Sequence, residues 1–328
     1  MPAKRLTTVI IALGLIGASA GPGFSDGLPK RASSEAGRRG PIRVWMRDVD
    51  IYPYDDAPAH VTDLSGSVTP TRPGGLVVFD DVTSYGIKVA STELHMRPGS
   101  LTVLMNRHIL PAANGPIKHV DISFGAGVLL IKGVMVKAGA PIPFSATATA
   151  APNADGDMAI SITKMTAAGI VPKGLMDALG LQMSKVAQPH NKNVFYIVGD
   201  TMVVPIVSMF PPPEFSGRLR SVTVTPTEMI AVIGQSGRTD GTTVAAKSFI
   251  HFRGGALKFA KLTMQDVDLT IVPKTASGPL GFSPANYYRQ MVAGFTAPEP
   301  DRGLTAHVPS YTGMIKVSLG AEPAKPPQ

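Results

Sequence analysis

The side chains best equipped for acid–base or metal chemistry in this chain are its histidines and its paired acids. The histidines are His60, His95, His108, His119, His190, His251 and His307. No two stand three to five residues apart, so no helix turn or strand presents a local metal pair. Asp48 and Asp50 share one face if their stretch is a strand. Asp55 and Asp56 are adjacent, as are Asp80 and Asp81. Paired carboxylates of this kind can hold Ca²⁺ or exchange protons, and solvated acids at turns and strand ends give the same pattern. Gly234-Gln235-Ser236-Gly237 is one residue short of a nucleophile elbow. The chain has no phosphate-binding loop, no H-E-x-x-H and no EF-hand loop. It has no cysteine, which excludes disulfides, thiolate metal sites and Cys nucleophiles. No catalytic residue, metal ligand or cofactor is therefore assigned. A hydrolase whose site is assembled from distant residues stays open as one reading.

The elements that would position these residues follow from composition. The 328 residues are 44% hydrophobic and only 16% charged, which excludes intrinsic disorder as the main state. Aromatics are 6%, so the apolar mass is aliphatic, with 15 Met that suit irregular or adaptable apolar surfaces. The 34 Gly and 30 Pro argue for many strands joined by turns rather than a helical bundle.

The first twenty residues have the layout of an export signal. Lys4 and Arg5 precede an apolar run from Leu6 to Ile16, and Ala18-Ser19-Ala20 forms a small-x-small cleavage site. The run is too short to span a bilayer core of about 30 Å. Cleavage would leave Gly21 as the first residue and lower the formal charge from +8 to +6. An exported chain has little use for nucleic acid. Its positive balance is read as a weak attraction to anionic headgroups or as a solvated surface.

Period-two alternation marks the strands. Ile42, Val44 and Met46 alternate with Arg43, Trp45 and Arg47. Val120, Ile122 and Phe124 alternate with His119, Asp121 and Ser123, and Met158, Ile160 and Ile162 with Ala159, Ser161 and Thr163. Val222 and Val224 form a shorter set. Leu262 and Met264 are followed, after a one-residue slip that suits a bulge, by Val267, Leu269 and Ile271. One apolar and one wet face is the antiparallel-sheet pattern. Gly125-Ala126-Gly127 links Phe124 to a strand starting at Val128. Asn153-Ala154-Asp155-Gly156-Asp157 links a strand 143–151 to a strand 158–166.

Helical spacing predicts three short helices. The first runs from Leu101 to Leu110, with Ser100 as N-cap and Pro111 as stop. Its stripe is Leu101, Leu104, Met105, His108 and Ile109. The second, Pro172 to Val186, places Leu175, Met176, Leu179 and Met183 on one face. The third, Pro284 to Phe295, does so for Tyr287, Tyr288, Met291, Val292 and Phe295. His108 on an apolar stripe is read as buried or at a pocket rim. The organisation expected is a signal peptide (1–20), a flexible leader (21–40), a sheet-plus-helix domain (41–213), a β-rich continuation or second subdomain (214–320) and a disordered tail (321–328). The break is at Pro211-Pro212-Pro213.

Residues 94–217 resemble the exported LmeA-type phospholipid-binding family, itself similar to the tubular lipid-binding superfamily. The resemblance is carried by LTVLMNRHILP (101–111), NGPIKHVDISFGAGVLLIKGVMVK (114–137) and the P-I-P-F to V-P-K-G-L stretch within 139–181, with a looser fit over 193–217. It implies a β-rich α+β fold in which a long curved antiparallel sheet wraps around one or two short helices. It implies phospholipid, or another acyl lipid, as ligand in an apolar groove, and brings no catalytic residue. The expected function is an exported, non-enzymatic lipid-binding or lipid-transfer protein of the periplasm or envelope, with a structural or adhesive envelope β-protein as alternative. The lining expected is Val120, Ile122 and Phe124 on one strand, Leu130 on the next, Ile160 and Ile162 on a third, Leu101, Leu104, Met105 and His108 from the first helix, and Leu175 and Leu179 from the second. A Met-rich aliphatic lining serves a deformable acyl site and an ordinary core equally well.

Overall fold

The alternating runs do form strands, and the chain is β-rich α+β. The computed structural model describes residues 40–113, 115–137, 139–167, 195–235, 244–275, 278–300 and 303–320. The expected signal peptide, the leader to residue 39, the second helix with Leu175 and Leu179, and the tail lie outside the described residues.

The chain begins with β1 (Ile42–Ile51), β2 (Ala59–Pro70), the two-residue β3 (Val77–Val78) and β4 (Tyr85–Met96). A helical segment follows: α-helix at Pro98–Leu104, a π turn at Met105–Ile109, then α-helix at Leu110–Ala113. Next come β5 (Ile117–Phe124), β6 (Leu129–Lys137), β7 (Ala140–Pro152) and β8 (Met158–Ala167). From residue 195 the strands are β9 (Tyr196–Val198), β10 (Thr201–Val204), β11 (Glu214–Ser216), β12 (Leu219–Val224) and β13 (Met229–Gly234). The remainder holds β14 (Phe249–Arg253), β15 (Ala256–Phe259), β16 (Leu262–Gln265), β17 (Asp268–Pro273), β18 (Leu280–Phe282), β19 (Phe295–Pro298) and β20 (Leu304–Val308). Short helices occupy Tyr287–Val292 and Tyr311–Gly320.

These strands make sheets of eleven, six and three. The largest runs β12-β13-β4-β2-β1-β14-β17-β20-β19, with β11 added on β4 and β18 on β1. The six-stranded sheet, β5-β6-β7-β8-β10-β9, is antiparallel throughout. The smallest is β16-β15-β3. Two main clusters fill the interior. Val120, Ile122, Phe124 and Ile160 of the six-stranded sheet pack with Val89, Leu219 and Ile233 of the large one. Ile42, Val44, Ile250 and Ile271 at its other half pack with Leu257 and Phe259 of the smallest sheet. Pro211-Pro212-Pro213 carries the chain from the six-stranded sheet to β11 of the large one, and the described residues belong to one unit.

Several local expectations change. The first helix starts at Pro98, with Arg97 in extended conformation as N-cap, and Ser100 is buried inside it. Pro111 does not stop it. Leu110 N–H donates to Met105 O, five residues back, and this wider turn precedes a proline that has no N–H to give. The third helix is reduced to Tyr287–Val292. It buries Tyr287 and Gln290, leaves Tyr288 and Val292 exposed, and ends before Phe295, which begins β19. Gln290 takes the buried face because its side chain is saturated: Oε1 accepts from Ser283 N, and Nε2 donates to the carbonyls of Gly281 and Pro309. The slip after Met264 is a corner between two sheets. Asp266 has φ of 57°, Val267 just before β17 is buried with Leu269 and Ile271 of that strand, and Leu262 on the smallest sheet is exposed.

Candidate apolar cavity between the helix and two sheets

The helical segment runs beside β5, the edge strand of the six-stranded sheet, and its polar side chains satisfy that edge. Val120 N donates to Asn106 Oδ1 at 2.9 Å, and Asn106 Nδ2 donates to Val120 O at 2.6 Å. Ile122 N donates to Thr102 Oγ1 at 3.0 Å. An open edge would otherwise leave these groups unpaired in a largely apolar layer. Further along, Arg107 makes two bonds to the Asp56 carboxylate, at 3.0 and 2.8 Å, and His108 Nε2 lies 3.1 Å from Ser208 O.

The other face of the helix closes a cavity whose lining is wholly apolar. Leu101, Leu104, Met105 and Ile109 come from the helix, Leu129, Ala150 and Ile160 from the six-stranded sheet. Val204 and Phe210 join Met96, Met158, Met209 and Met229 to complete a lining rich in methionine. The helix thus meets both large sheets here, because Met96 and Met229 sit opposite each other in β4 and β13. The cavity holds about 30 Å³. A dry cavity that takes up a benzene measures about 150 Å³, so an acyl chain enters this one only if the lining moves.

Of the residues expected to line a groove, Leu101, Leu104, Met105 and Ile160 line this small cavity. Val120, Ile122 and Phe124 are buried in the same cluster, and Ile162 packs half-buried against it. His108 is half-buried at the helix edge, held by the Ser208 carbonyl. Leu130 is a correction: it is 40% exposed. The turn pairs Phe124 with Leu129 and Ser123 with Leu130, which sends Leu129 inward and Leu130 to the wet face. Met96, Met158, Met209 and Met229 were missed in the lining. Their signal was the unusual methionine content, which carries no position.

The paired acids have structural partners. Asp55 accepts from Tyr311 Oη, Asp56 pairs with Arg107, and Asp80 accepts from Tyr287 Oη at 2.6 Å; burial above all, and then this bond, push that phenol well up. Asp81 accepts from the backbone and hydroxyl of Thr83, which holds its carboxyl below the usual range. Asp48 and Asp50 flank His60. Asp50 Oδ1 is 2.8 Å from Nδ1 and Asp48 Oδ1 is 3.9 Å from Nε2. Asp48 reaches that position with a positive φ of 51°, between the paired residues Arg47 and Val49 of β1. Across the ladder from His60, His95 lies between Glu93 at 2.9 Å and Glu228 at 3.1 Å. Burial pushes the His95 pKa down, but the hydrogen bonds and charges of Glu93 and Glu228 outweigh it and the net direction is up. Among the described residues, no three or more such side chains are placed to hold a metal ion, and no helix is long and apolar enough to cross a membrane.

No family model, no curated protein and no solved structure matches this chain.

Proposed function

We propose that the protein is an exported, non-enzymatic lipid-binding or lipid-transfer protein whose acyl site opens from the cavity beneath residues 98–113. The observation that carries this reading is the lining: thirteen residues, all apolar, five of them Met. Methionine repacks at low cost and lets such a lining deform around a chain. The π turn supports it, because Met105 and Ile109 on the lining belong to the least regular part of the helix. The resemblance of residues 94–217 to the LmeA-type family supports it as well, as does the export layout of residues 1–20.

The 30 Å³ volume favours a second reading, a structural or adhesive envelope β-protein with a solid core. One experiment separates them. Purified mature protein is extracted with organic solvent for mass spectrometry, and its uptake of a labelled phospholipid from vesicles is measured. Acyl lipid in the extract, or saturable uptake, supports the lipid reading. An extract without lipid together with no uptake removes it in favour of the structural one.

A further inference from the structure

The outer face of the large sheet carries a second cavity, unrelated to the apolar one. It is a cleft of about 710 Å³, within the usual range for small-molecule sites of about 300–1,000 Å³. Its floor is β14, β17 and β20, and residues 244–248 form one wall. That wall stands because Val244 and Ala246 pack on a small apolar cluster of Trp45, Phe249 and Val272.

The floor is polar and preorganised. His251, only 7% exposed, sits with Nδ1 2.9 Å from Thr270 Oγ1 and its ring against Trp45, centroids 5.5 Å apart. His307 is stacked on Phe295 at 4.5 Å. Thr305 is buried between these strands. The cations are Lys247 and Arg253.

The register sets the charges at this end of the cleft. Arg43 of β1 stands directly opposite Arg253 of β14, and Asp268 of β17 stands opposite Arg253 on the other side. Two arginines and one carboxylate therefore stand in one row, with the Arg43 guanidinium 5.4 Å from the Trp45 ring centroid and Asp268 also 3.9 Å from His251 Nε2. Like charges directly opposite each other destabilise a sheet unless something offsets them. Asp268 does so weakly. Its Oδ2 is 3.9 Å from Arg253 Nε, outside hydrogen-bonding distance. The planar fork of Arg253 is thus held in the cleft without a bidentate partner in that carboxylate, and its geometry matches a phosphate or carboxylate.

We propose that this cleft binds a small hydroxylated oxyanion: one phosphate or carboxylate group on Arg253, with Lys247 as the second cation of the lining and hydroxyl groups against Thr305 and His307. The site is independent of the acyl reading. The ligand is either a free solute or a lipid headgroup with the same chemistry. The exposed Glu299, and Asp268 in the same lining, disfavour polyanions, so the ligand carries a single anionic group.

The test is calorimetric titration of the full chain with glycerol 3-phosphate, with glycerol as the uncharged control, and cosedimentation with phosphatidylglycerol and phosphatidylcholine vesicles. Arg253→Gln and the exposed Lys247→Gln are compared with the parent, each checked for unchanged thermal unfolding. Saturable binding of glycerol 3-phosphate but not glycerol, weakened about tenfold or more by Arg253→Gln, supports a free solute. Binding confined to phosphatidylglycerol vesicles and lost in Arg253→Gln supports a headgroup. No saturable binding in either assay overturns the proposal. So does binding that both variants retain at parental strength. If Arg253→Gln unfolds, the Lys247→Gln result decides in the same way.

Discussion

The Asn106 side chain pairs with the Val120 backbone as a neighbouring strand would, giving and receiving one hydrogen bond each. A helix cannot continue a β-ladder with its own backbone, whose groups are used internally. Two side chains on one face, Thr102 and Asn106 at i and i+4 spacing, supply the ladder's bonds instead. The helix is thereby tied to β5 while Leu104 and Met105 remain turned to the cavity.

Replacing Asn106 with Ala therefore leaves a buried strand residue with an unpaired N–H and C=O. The expected loss is about 1–3 kcal/mol for each group left unsatisfied. Hydrogen exchange reads this directly: the Val120 amide should lose protection while the Ile131 amide, within the β5–β6–β7 region, changes less. Unaltered Val120 protection would show that the pairing contributes nothing.

Leu104 and Leu130 form a matched pair. Leu104 is 2% exposed against the cavity, so Leu104→Ala should cost about 2–5 kcal/mol in denaturant unfolding. Leu130→Ala on the wet face should stay within about 0.5 kcal/mol. Equal losses would contradict the register of β5 with β6.

That register also shows what local pattern could and could not reveal. Val120, Ile122 and Phe124 alternate with polar residues, so their face was legible without any partner strand. The Asn153 turn was legible for the same reason. Its side chain accepts from the amides of Asp155 and Asp157, within the turn itself. In β6, Leu129, Leu130 and Ile131 are all apolar, so both phases fit and only the turn decides. His60 between Asp48 and Asp50, and Arg43 opposite Arg253, depend on pairing across strands, and no spacing rule exposes them. The third helix misled because period and polarity favoured Val292 and Phe295, whereas Gln290 had three tertiary bonds to make.

Stability should depend on pH through His95. Burial lowers its pKa, the bonds to Glu93 and Glu228 raise it, and the folded value lies above the ordinary 6.5. The groups facing it are Glu93 on β4, Glu228 before β13, and the ring of His60 on β2, itself bonded to Asp50 of β1. A raised folded pKa means that the stabilisation is fully present below about pH 6.5 and is lost as pH rises through the folded value. Chemical denaturation between pH 5 and pH 8 should show this decline. Glu228→Gln should flatten it, because one of the two carboxylates that hold the imidazolium is gone. A parental slope in Glu228→Gln would assign the decline to other groups.

Gly133 and Phe144 face each other across β6 and β7, and the phenyl ring lies over the glycine. A Cβ on Gly133 would sit 2.7 Å from the ring and 2.5 Å from the His119 carbonyl oxygen. The ring could rotate away, but the carbonyl belongs to the neighbouring strand and moves only with it. Gly133→Ala should therefore cost about 1–3 kcal/mol, although alanine is ordinarily no worse than glycine within a strand. Removing the ring tests which contact dominates. If the ring is the obstacle, Gly133→Ala should cost less in a Phe144→Ala background than in the parent. If the carbonyl is, the cost should be the same in both. We expect the same cost, since the oxygen is nearer and cannot move alone. Relief by Phe144→Ala would place the strain in the ring instead.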